Sequence, residues 1–127
     1  MSSNTRVVLS HIRNSGYTAV LDDDGDVIIP IGDYTVVVKV HESFVVAKIA
    51  MRTALGVRAL AVISRELHDA TYGGRMVYPT HAGFMVFDFT QSYQGVPSQF
   101  DSVCPVQGVI RVAHHAGQII AELGYTA

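Results

Sequence analysis

The sequence predicts an α+β fold in one domain, with helices segregated to one side of an antiparallel sheet. Three observations carry this reading. Residues 22–51 read as a meander of three strands written almost continuously in β-branched residues. Strands come in runs and not in alternation with helices, and consecutive strands joined by short turns pair antiparallel. Three other stretches carry apolar residues at helical spacing, one before the meander, one after it and one near the C-terminus.

The first helix is expected over Thr5–Ser15, where Val8, Leu9 and Ile12 share a face, Ser3 or Thr5 caps the start and Gly16 ends it. Asp24-Gly25 is a turn dipeptide and can join a short strand at Tyr17–Leu21 to the one that begins at Val27. The meander strands are Val27–Ile31, Tyr34–Val40 and Phe44–Met51, with turns at Gly32-Asp33 and at His41-Glu42-Ser43. Strand side chains alternate, so Val36, Val38 and Val40 make one apolar face. In the next strand Val45, Ala47 and Ile49 oppose Phe44, Val46 and Lys48, so both faces carry large apolar groups.

Thr53–Ala70 returns to helical period, with Val57, Leu60, Ala61, Ser64 and Leu67 on one stripe. Gly73-Gly74 ends it. A hairpin follows, Arg75–Pro79 and Phe84–Thr90 around a turn at 80–83, with Pro79 expected at a strand end or edge. Gln91–Gln99 reads as a polar loop. The last helix is capped by Asp101 or Ser102, holds Pro105 in its first turn, and runs along Val106, Val109, Ile110, Ala113, Ala116, Ile120 and Leu123 to Gly124. The expected order is helix, three strands, helix, two strands, helix, in a single domain over 1–127 with its core from about 5 to 123.

Composition narrows the function. At 49% hydrophobic and 16% charged, the chain is no disordered polymer, and its few charges leave apolar surface for a partner, a homodimer first of all. A formal charge of −2 with scattered basic residues gives no footprint for nucleic acid or an anionic membrane. No apolar run has the length of a membrane span, and the first residues lack a signal peptide's apolar core, so a cytoplasmic location is expected. The single cysteine, Cys104, fits a reducing compartment.

The acidic turn DDDGDVIIPI leading into the first long strand, the order of elements and the long C-terminal amphipathic helix resemble the YbjN-like family, over about Thr5 to Leu123. The resemblance implies the fold of type III secretion chaperones. It also implies a non-enzymatic protein, cytoplasmic and often dimeric, that acts as a regulator or a chaperone-like binder.

No catalytic motif emerges. Asp22, Asp24 and Asp26 have the spacing of a calcium loop, but Gly25 falls at position four and Asp33 at twelve, where an EF-hand needs glycine at six and glutamate at twelve. The run reads as a hairpin turn. His114 and His115 point about 100° apart on a helix, and His11, His41, His68 and His81 lie in different elements, so no metal site is expected. Cys104 reads as a small buried thiol and Asp88, inside an apolar strand, as an exposed strand end or a partner of Arg52 or Arg75. Gly73-Gly74 and Gly95-Val96-Pro97 match no phosphate-binding loop.

The expected activity is therefore partner binding without catalytic residues or cofactor. Its contact residues are Phe84, Val86 and Phe89 of the aromatic strand with Val57, Leu60 and Ile63 of the second helix. Two alternatives follow from the same residues. One is a small-ligand sensor or enzyme with a pocket between the last helix and the sheet, touched by Asp88, Arg111 and His114. The other is a structural subunit of a larger assembly.

Overall fold

A computed structural model describes residues 2–52, 55–70, 74–77 and 84–124, with backbone alone for Val57 and for residues 68–70, 74–77 and 84. In chain order the elements are α1 (Ser3–Asn14), β1 (Val20–Leu21), β2 (Val27–Ile31), β3 (Tyr34–Val40), β4 (Phe44–Arg52), α2 (Val57–Ala70), β5 (Gly74–Val77), β6 (Phe84–Ser92) and α3 (Gln99–Glu122). The strands make one sheet in the order β1-β2-β3-β4-β6-β5, and the pairings are antiparallel. The α+β class is as read, and the short strand expected within Tyr17–Leu21 is the two-residue β1, the sixth of the sheet. The turn at 80–83 and Pro79 lie outside the described residues.

Local chemistry sets the meander. Gly32 has φ +55° at the first position of a two-residue loop, where a Cβ would be strained, and its twist matches that of the flanking strands. In the acidic turn, Asp22 Oδ1 accepts from the backbone N–H of Asp24 at 3.0 Å and of Asp26 at 2.9 Å. β6 then inserts between β4 and β5, registered on β4 from Phe44↔Ser92 to Arg52↔Phe84.

The core lies on one face of the sheet. Val27, Ile29, Val36, Val38, Val45, Ala47, Ile49, Met85 and Phe87 are all of one parity in their strands, and they join Val8 and Ile12 of α1, Leu60, Ile63 and Leu67 of α2 and the apolar stripe of α3. Each such side chain contributes about 1.5–3 kcal/mol by leaving water. Gly108 of α3 sits on the Phe89 ring so closely that an added Cβ would lie 2.4 Å from Phe89 Cδ2. That glycine brings α3 down onto β6.

Helix ends differ from their expected places. Ser2, not Ser3 or Thr5, caps α1 by accepting from Thr5 N–H at 3.1 Å. The described part of α2 starts at Val57. For α3 the cap is Ser98, in a reciprocal capping box with Asp101. Pro105 therefore falls in the second turn, where its missing N–H leaves the Asp101 carbonyl without its helical donor. The loop before α3 is less polar than read, because Tyr93 is buried and its hydroxyl donates to the His41 carbonyl while accepting from Asn4 Nδ2 at 3.2 Å. Among the described residues no helix is long and apolar enough to cross a membrane.

Candidate functional site

The opposite face of the sheet takes no part in that core. One row crosses all six strands in register: Val20, Ile28, Val37, Lys48, Asp88 and Arg75. It is apolar on β1 to β3 and alternates in charge on β4, β6 and β5. Neighbouring rows place Lys39 beside Val46 and Thr90, and Ala50 beside Val86 and Val77. Val20 is 50% exposed, Ile28, Val37 and Val86 are half-buried, and Pro30, Thr35, Ala50 and Thr90 are exposed. The result is an open surface of apolar groups set among charges.

Two charge arrangements organise it. Lys39 Nζ lies 2.9 Å from Asp26 Oδ2, and that hydrogen bond with the neighbouring negative charge raises the lysine pKa above its ordinary value. Asp88 is only 4% exposed, against the expectation of an exposed strand end. The register sets it opposite Lys48 and it is not a free carboxylate, so its burial is tolerable. Arg52 lies four residue pairs away along β4, opposite Phe84.

The expected contact residues separate on this frame. Val86 stands on the open face. Phe89 does not, because it is one step out of phase and packs under α3 against Gly108. Leu60 and Ile63 are 5% and 0% exposed and belong to the core, since α2 turns its apolar stripe inward. The side chains of Val57 and Phe84 lie outside the described residues. Sequence reasoning did not single out Ile28 and Val37 as surface, although the two-sided apolar pattern of the meander was the signal for them.

The three residues expected to line a ligand pocket do not converge. Asp88 is on the open face, whereas Arg111 and His114 are exposed on α3, beyond the core on the other side of the sheet. His114 Nε2 is 3.5 Å from Gln118 Nε2, its neighbour one turn on. Arg111 instead lines a groove of about 540 Å³ between the end of α1 and α3, with Ser15, Gln99, Phe100, Val103, Cys104 and Gln107. Cys104 is half-buried there and not the enclosed thiol expected. Gln99 fixes the α1 side of the groove: its Oε1 meets His11 Nδ1 at 2.7 Å and its Nε2 donates to the His11 carbonyl at 3.2 Å and to Ser15 Oγ.

Among the described residues the one grouping of potential metal ligands is Asp22, Asp24 and Asp26. One oxygen of Asp22 already serves two backbone donors and Asp26 holds Lys39, so the cluster is accounted for as a turn. His41 stacks on Phe44 with ring centroids 4.4 Å apart, and His11 binds Gln99. The His68 side chain and His81 lie outside the described residues.

These features define a class: an α+β domain whose antiparallel sheet is covered, among the described residues, by helices on one face only. No protein-family model matches the sequence, and no curated protein matches it significantly. Among solved structures the fold is that of YbjN from E. coli, a proposed transcription regulator, at a TM-score of 0.74 over 94% of this chain and 92% of that one. Sequence identity is 9%, so the likeness is one of fold.

Proposed function

We propose that the chain is a non-enzymatic regulatory domain that works by binding protein through its open sheet face, a second copy of itself first of all. The observation that carries this is the row of Val20, Ile28 and Val37 with Val86 nearby, apolar side chains on a face that contributes nothing to the core. Such a surface gains free energy by burial against another chain, at about 25 cal/mol per Å². Lys48, half-buried further along the row, adds a charge that penalises a misaligned partner more than it strengthens an aligned one. The YbjN-like fold supports a regulatory role, and YbjN itself is described as a proposed regulator. A net charge of −2 favours a protein partner over DNA.

The test is the mass in solution by light scattering for the natural chain and for Val86→Glu and Val37→Glu, with circular dichroism to verify folding. A dimer for the natural chain and a folded monomer for either variant is the expected result. A folded variant with unchanged mass would exclude this face as the contact.

A further inference from the structure

The groove between α1 and α3 lies on the helical side of the molecule, away from the open sheet face, and has a chemistry of its own. Phe100, Cys104, Gln107 and Arg111 follow one another along one face of α3, with Val103 beside them and Ser15 of α1 opposite. At one end Phe100 is 66% exposed, an aromatic ring in water with Val103 and Cys104 continuing its apolar wall. At the other end Arg111 is the only charged residue of the lining, and neither it nor Gln107 has a side-chain partner among the described residues. Eleven residues of helix separate Phe100 from Arg111, a distance of about 16 Å at 1.5 Å per residue.

That length decides between ligands. A small organic anion held by Arg111 cannot reach Phe100. Two kinds of molecule can: an acyl chain with a carboxylate head, or an extended peptide of about five residues at about 3.3 Å each. The Ser15 hydroxyl is already held by the His11 carbonyl and Gln99, but an acyl chain would lie its methylenes on Gln107 and strip water from that amide without replacing its hydrogen bonds. A peptide backbone offers Gln107 a donor and an acceptor, and the groove is open to solvent, as a surface segment of another protein requires.

We infer that this groove binds an extended segment of a partner protein that carries an apolar side chain at one end, on Phe100, and a carboxylate about four residues away, on Arg111. The site stands apart from the sheet face proposed above, so a dimer formed there leaves it accessible. Gln99 holds the groove in shape before binding, through its bonds to His11 and Ser15, and so reduces the ordering that binding requires.

The probes are two labelled peptides, acetyl-Leu-Ser-Thr-Ser-Glu-amide and the reverse, acetyl-Glu-Ser-Thr-Ser-Leu-amide, followed by fluorescence anisotropy and by the amide resonances of residues 99–111. At least one is expected to bind saturably and to shift those resonances. Exchanging its Glu for Gln should weaken it about tenfold, and Phe100→Ser should do the same. Arg111→Glu should reverse the preference, so that the Lys-for-Glu peptide binds best. Because Arg111 is exposed, that variant keeps the fold, and Val86→Glu should leave peptide affinity unchanged. Equal binding of the Glu, Gln and Lys peptides overturns the inference, as does no saturable shift with either probe. Binding of dodecanoate in place of both peptides overturns it in favour of an acyl ligand.

Discussion

Asp101 closes the start of α3 from two directions: its carboxylate accepts from the Ser98 N–H at 2.9 Å, and its own N–H donates to Ser98 Oγ at 3.1 Å. The backbone hydrogen bond from Ser98, with smaller help from the Ser98 and Gln91 side chains, holds the carboxyl below its usual range. A depressed folded-state pKa contributes stability that is present above the unfolded value, about 3.9, and is lost as pH falls through the folded one. Urea midpoints measured from pH 6 down to pH 2 should therefore show Asp101→Asn less stable at the upper end and level with the natural chain at the lower. Ser98→Ala should lower stability by about 1 kcal/mol. The Ser-x-x-Asp spacing was visible in the sequence, but the apolar stripe read from Val106 onward drew the expected cap to Asp101 or Ser102. Gly108 was not legible at all, because its reason is the Phe89 ring of another element. Alanine there gains about 1 kcal/mol of helix propensity and loses about 1–3 to overpacking. Gly108→Ala should thus lower the thermal midpoint, whereas the same change made in a Phe89→Ala background should no longer lower it; a higher midpoint for the single variant would contradict the contact.

At the scale of elements, Tyr93 ties three pieces together. Its N–H donates to the Ser43 carbonyl at 3.0 Å in the β3–β4 turn, its hydroxyl reaches His41 and Asn4, and Asn4 also donates to the Gly95 carbonyl at 3.1 Å. Tyr93→Phe leaves the packing and removes the hydroxyl, so it should cost about 1–3 kcal/mol. Hydrogen exchange should quicken in residues 41–43 and 93–98 and hold steady in β4 and β6. Uniform acceleration would show that the hydroxyl acts on global stability alone. The meander itself was read to within a residue, because alternation of valines and the Gly32 and Gly25 turns are local signals. What β6 does was hidden, since nothing in Phe84–Ser92 says that it inserts between β4 and β5. Asp88 becomes a buried group between Lys48 and Arg75 only through that insertion, and Phe89 becomes core rather than contact for the same reason. The groove was equally hidden, its walls being Ser15 and residues more than eighty positions later.

For the whole molecule, the distribution of apolar surface sets the behaviour. β2 also limits how copies can meet. Beyond the two residues paired to β1, its edge carries Pro30, which has no N–H to offer an added strand, so association face to face is favoured over extension of the sheet at this edge. If folding and association are coupled in this way, stability depends on concentration. Each tenfold rise in protein adds about 1.4 kcal/mol to the unfolding free energy of a dimer, or about 2–3 °C in thermal midpoint for a chain of this length. The midpoint of the natural chain should rise by that amount per decade between 1 and 100 μM, whereas that of Val37→Glu should stay flat and lie below it throughout. A flat profile for the natural chain would mean that the domain is stable alone and that its open face does not hold a second copy at these concentrations.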